Sequence, residues 1–115
     1  MNKAERIPVY LQHMLEAIDR ARAYMGPFQS AAEFAANTQA LDAVVRNLEI
    51  LGEAANKINQ ADHAYFDAHS EIPWQLMRAM RNKVIHDYFS VDPVVVWQTV
   101  RNDLPGIRLQ LATLG

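Results

Sequence analysis

At 115 residues, half of them apolar and 21% charged, the chain suits one folded domain, 1–115, rather than a disordered or low-complexity segment. It contains no cysteine, which excludes a disulfide framework, a thiolate zinc site and a thiol nucleophile, and no run approaches the roughly 20 apolar residues of a membrane span. The cytoplasm is therefore the expected location, and a formal net charge of -2 argues against a broad basic surface while leaving room for a local basic cleft.

The first expected helix runs from about Ile7 to Met25, where Leu11, Met14, Leu15, Ile18 and Met25 recur at helical spacing and Gly26-Pro27 supplies the stop. A second, from about Thr38 to Ile58, carries the stripe Leu41, Val44, Val45, Leu48, Leu51, Ala55 and Ile58. Its other side bears Asp42, Arg46, Glu49, Glu53 and Lys57, a solvated ladder of charges. Gly52, beside the stripe, is expected to mark a close helix crossing. The polar stretch from about Asn59 to Ile72 reads as a connector with one short helical turn around Ala64 to Ala68. Pro73 suits the first position of a third helix ending near His86 or Tyr88, with Leu76, Met77, Met80, Val84 and Ile85 facing the core. A fourth begins at the cap Asp92-Pro93 and continues through Trp97, Val100, Leu104, Leu111 and Leu114, with Pro105 and Gly106 expected to kink or break it. The expected fold is all-α: an antiparallel four-helix bundle with a short extra helical turn.

The third segment holds an anomaly. Arg81 projects into the same arc as Met77 and Ile85, and an unpartnered guanidinium there costs several kcal/mol, on the order expected for a buried ion. Arg81 must therefore meet a carboxylate (Asp42, Glu49 or Glu53), line a wet cleft, or sit between subunits. Tyr88 lies within roughly 20° of it on an ideal helix, whereas His86 points roughly 140° away. Arg81 and His86 meet only if the helix ends or distorts near His86, or if a twofold brings two copies together. Asn82 precedes His86 by one helical turn, the spacing at which an amide can orient the imidazole. The bland counterparts are a capping or surface histidine and an aromatic pair, Tyr88 and Phe89, that closes the bundle. The four histidines, His13, His63, His69 and His86, show none of the helical spacings of a zinc site, so no metal and no cofactor is expected.

The run Arg81-Asn82-Lys83-Val84-Ile85-His86-Asp87-Tyr88 matches R-x4-H-x-Y and resembles the HepT-like toxins of the HEPN superfamily. The stretches Val45 to Ala54, Ile72-Pro73-Trp74 and Asp103-Leu104-Pro105 add to the likeness. The resemblance implies a HEPN-like homodimer that acts as a metal-independent endoribonuclease, the toxin of a type II/VII-like toxin–antitoxin pair, on transfer or messenger RNA. It casts His86 as general acid and base, Arg81 as the group that steadies charge on the phosphoryl oxygens, and Asn82 as support for His86. It also implies a minimal nucleotidyltransferase antitoxin that silences the toxin by transferring AMP to Tyr88. The alternative is a noncatalytic helical partner of such a nucleotidyltransferase.

Overall fold

The computed structural model describes residues 4–86 and 91–114, with the backbone alone at 4 and 81–86. All regular structure among them is helical. A short 3-10 turn leads into α1 (Ile7–Met25), followed by α2 (Ala31–Ala36), α3 (Thr38–Ala61), α4 (His63–Ala68), α5 (Trp74–His86), α6 (Pro93–Gln98), a π turn (Thr99–Asp103) and α7 (Leu104–Ala112). Counting α6, the π turn and α7 as one rod, α1, α3, α5 and this rod form the bundle. The 24 residues of α3 span about 36 Å at 1.5 Å per residue, which accounts for most of the 43 Å long axis.

Helix α3 is the centre of the molecule, with α1 on one flank and α5 on another. Val44, Leu48, Leu51, Ala55 and Ile58 are buried against Leu11, Met14, Ile18 and Ala21 of α1, Met77 of α5 and the C-terminal Leu104, Ile107 and Leu111. Leu41 and Val45 are half-buried at its edge, and Gly52 is buried. The ladder on the far side stays at the surface, where Arg46 and Glu49 pair at 3.5 Å. Helices α3, α4 and α6 start at side-chain caps. Asn37 accepts from the Ala40 amide (2.9 Å), Asp62 from Tyr65 (3.1 Å) and Asp92 from Val94 (2.9 Å), with Pro93 in the first turn of α6.

Three sequence expectations change. Helix α2 falls in a stretch to which the apolar pattern assigns nothing, because at 6 residues it is too short to show a period. A variant of the capping box starts it: Ser30 Oγ accepts from the Glu33 amide at 3.1 Å, and Glu33 Oε2 accepts from the Gln29 amide, one residue before the cap, at 2.9 Å. Leu76, assigned to the core, is 43% exposed. It lies roughly 100° around the helix from buried Met77, and α5 packs chiefly on α3, so the covered arc is narrower than half the wheel. Pro105 does not break the last rod. The π turn widens the backbone just ahead of it, with the Leu104 amide bonding the Thr99 carbonyl, so the ring sits in the first turn of α7. Arg108 then ties α7 to α1 by a two-pronged bond to Asp19, both contacts at 3.1 Å.

Candidate functional site

Helix α5 begins from an anchor. Trp74 is buried and stacks on Phe66 with ring centroids 5.1 Å apart. Its indole N–H is shared between the carbonyls of Phe66 (3.1 Å) and His69 (3.0 Å), two groups left over where α4 ends. Arg78, one turn on, lays its guanidinium over the other partner in this stack, Phe66, at 5.9 Å. The Ile72-Pro73-Trp74 signature thus fixes where the helix starts and in which direction it leaves.

From that anchor the backbone stays α-helical through Met77, which is fully buried, and Met80, which is half-buried, into the motif. Arg81, Asn82 and His86 all stand on this one helix, and their side chains lie outside the described residues. Tyr88 lies outside the described residues altogether, as does Phe89, and the core assignments of Val84 and Ile85 concern side chains that are likewise not described. The backbone is helical from Arg81 to His86, where α5 ends, so the two positions of one chain sit roughly 140° apart about the axis.

The described surroundings are specific. Met80 borders a crevice of about 50 Å³ lined by Leu48, Val91, Val95, Val96 and Thr99, so the motif helix abuts the start of the C-terminal rod. On α3, Asn47 is 6% exposed, and its amide nitrogen donates to the Ala43 carbonyl at 2.8 Å. Its Oδ1 is buried and meets no donor among the described residues. An acceptor left so costs about 1–3 kcal/mol, which singles it out within the Val45 to Ala54 stretch. Its place between Val44 and Leu51 on the stripe was the available sequence signal.

Of the candidate acids for Arg81, Asp42 is exposed, while Glu49 is engaged with Arg46. The other histidines have local occupations. His63 contacts Asn59 (2.6 Å) and Asp67 (3.1 Å), and His69 Nδ1 contacts the Tyr65 carbonyl (2.9 Å). His13 borders a groove between α1 and α3 of about 300 Å³, in which Arg46 and Lys57 face Glu49 and Glu53. Among the described residues no three metal-binding side chains gather. Among the described residues no helix is long and apolar enough to cross a membrane.

Burial raises the Tyr65 phenol above its ordinary value, with the Glu71 carboxylate adding to the effect. The hydrogen bond from Arg108 holds the Asp19 carboxyl below its own.

The chain is similar to a protein of Thermococcus cleftensis named probable ribonuclease HepT, 37% identical over 99 residues that cover 86% of each. It is also similar to one of Caldanaerobacter subterraneus subsp. tengcongensis named "Putative RNase", 31% identical over 106 residues, 89% of this chain and 88% of the relative. No solved structure matches. The model of the family described as Ribonuclease HepT-like matches residues 14–114, from the first helix through the π turn to the last, and the chain belongs to that family.

Proposed function

We propose that the protein is a metal-independent endoribonuclease toxin whose cleavage site is built on the last turns of α5. The observation that carries this reading is the R-x4-H-x-Y motif within a chain matched to the HepT-like ribonuclease family over nearly its whole length. The helical backbone adds a constraint. Two positions roughly 140° apart on one rigid helix serve a single phosphate when two copies face each other across a twofold, so the active form is a homodimer with the motif helices lining one cleft.

In that cleft His86 takes the proton from a ribose 2′-oxygen, which attacks the adjacent phosphorus as the bond to the 5′-oxygen breaks. A protonated imidazole returns a proton to that leaving oxygen, giving a 2′,3′-cyclic phosphate and a 5′-hydroxyl. An imidazole titrates near neutral pH and suits both transfers. Arg81 steadies the charge that builds on the phosphoryl oxygens with a planar donor that never loses its proton. Asn82, one turn before His86, holds the ring in the productive tautomer. Regulation acts on the same motif: a minimal nucleotidyltransferase antitoxin in the cytoplasm transfers AMP from ATP to the Tyr88 hydroxyl, releasing pyrophosphate and the phenolic proton, and the anionic adduct fills the cleft and pairs with the cation that cleavage needs.

The test is RNA cleavage by purified, unmodified protein in the presence of a chelator. Cleavage that is lost in His86→Ala, with helicity unchanged, supports the reading. An intact His86→Ala rate, or wild-type protein that binds a nucleotidyltransferase and never cuts RNA, overturns it.

A further inference from the structure

A second cleft, of about 510 Å³, opens at the far end of α1. Arg22 and Met25 form one wall, Phe28 and Gln29 of the following turn a second, and Trp97 and Arg101 of the C-terminal rod a third. Its charge sets it apart. The α1–α3 groove balances Arg46 and Lys57 with Glu49 and Glu53, whereas this cleft is lined by two arginines and no carboxylate, in a chain of net charge -2. Neither guanidinium has a carboxylate within salt-bridge distance among the described residues.

The aromatic part is built rather than incidental. Trp97 is braced from the core side by fully buried Phe34 at 5.9 Å, and Phe34 is braced in turn by Phe28 at 5.9 Å. The Arg101 guanidinium lies over the Trp97 ring at 5.1 Å, the outer layer of this stack. Arg101 stands in the middle of the π turn, a widened helical turn of the kind that recurs at functional sites. A braced indole, a guanidinium over it and a second cation across the gap are the elements with which proteins hold unpaired nucleotides.

We propose that this cleft binds one unpaired nucleotide of an RNA strand, its phosphate between Arg22 and Arg101 and its base stacked on the Trp97–Arg101 layer. This rests on the reading that the substrate is RNA and adds where the strand is gripped away from the scissile bond. Val95, Val96 and Thr99 border the crevice against Met80, and Trp97 and Arg101 belong to the same rod, so a strand leaving the motif helix has this cleft within reach.

The experiment is titration with a 2′-O-methyl oligonucleotide of roughly ten nucleotides, which has no free 2′-hydroxyl to attack, read by tryptophan fluorescence. Trp74 is buried and hydrogen-bonded, so quenching reports Trp97. Arg101→Ala and Arg22→Ala, both at exposed positions, are expected to weaken binding about tenfold each and to reduce the slope of log K against log salt by about 0.7 per arginine. Trp97→Leu, read by the fluorescence anisotropy of a dye-labelled oligonucleotide because the reporting indole is gone, weakens binding by a similar factor, and Trp97→Phe in the same assay restores most of it. Unchanged affinity and salt slope in both arginine variants overturn the proposal, as does AMP binding as tightly as the oligonucleotide, which makes the cleft a free-nucleotide site. Because this readout needs no cleavage, failure of the ribonuclease reading appears separately, as wild-type protein that binds the strand and leaves an unmodified RNA intact.

Discussion

The two ends of helix α5 are built on opposite principles. At its start, Trp74 is buried, stacked on Phe66 and donates to two carbonyls, so each polar group there serves the fold. At its finish stand Arg81, Asn82 and His86, polar types, of which Arg81 continues the stripe that at Trp74 and Met77 is apolar. On the proposed assignment, the difference teaches that one helix can be anchored at one end so that the other can spend its side chains on chemistry.

The sharpest way to break this division is to mutate the two ends separately. His86→Ala and Arg81→Ala are expected to reduce RNA cleavage by about 10²–10⁴-fold with the melting temperature within a few degrees of wild type, measured in a chelator-containing assay with parallel thermal melts. A large drop in stability with either change places these residues in the fold instead. Trp74→Ala is expected to show the reverse, a loss of about 3–5 kcal/mol in chemical denaturation, with the specific activity of the fraction that remains folded preserved.

Asn82→Ala sharpens the contrast further. It is expected to lower cleavage about tenfold and to shift the pH at which activity falls, because its proposed role is to orient the imidazole that exchanges protons. An unaltered pH profile removes its positioning role. Tyr88→Phe is expected to leave cleavage intact and to abolish AMP incorporation by the proposed antitoxin, read by intact mass; incorporation that persists moves the modification elsewhere.

The smallest effect belongs to neither end. The Arg108 hydrogen bond lowers the Asp19 pKa on folding, so this pair contributes stability above the ordinary carboxyl value of 3.8 and loses it as pH falls through the lower folded value. The melting temperature of Asp19→Asn therefore lies slightly below wild type at neutral pH, and the gap closes progressively below that value. A gap that widens in acid contradicts the assigned direction.

Much of this was legible in the residues. The stripe from Ile7 to Met25 and the one through Val44, Leu51 and Ile58 are long enough for periodicity to define helix and buried face together, and α1 ends where Gly26-Pro27 says it does. Helix α2 was not, because its only signal is the local exchange between Ser30 and Glu33. Leu76 was misplaced because a wheel cannot tell how many neighbours cover a helix. The motif residues were legible as types and spacing, and as a family resemblance that the family match bears out. The Arg22–Trp97–Arg101 cleft was hidden by the overall acidic balance, although an aromatic and a cation one turn apart, as at Trp97 and Arg101, already share a helix face.

The π turn leaves the last rod with one residue more than an uninterrupted α-helix would use for the same path. Removing a single residue between Gln98 and Leu104 would let the ladder close on its ordinary four-residue step along that same path, with Arg108 still on Asp19 and Leu104, Ile107 and Leu111 still in the core. The same deletion inside α7 would swivel every later side chain by roughly 100° about the axis and pull the buried row apart. The molecule should therefore tolerate a one-residue shortening in this turn and reject it in the helix that follows.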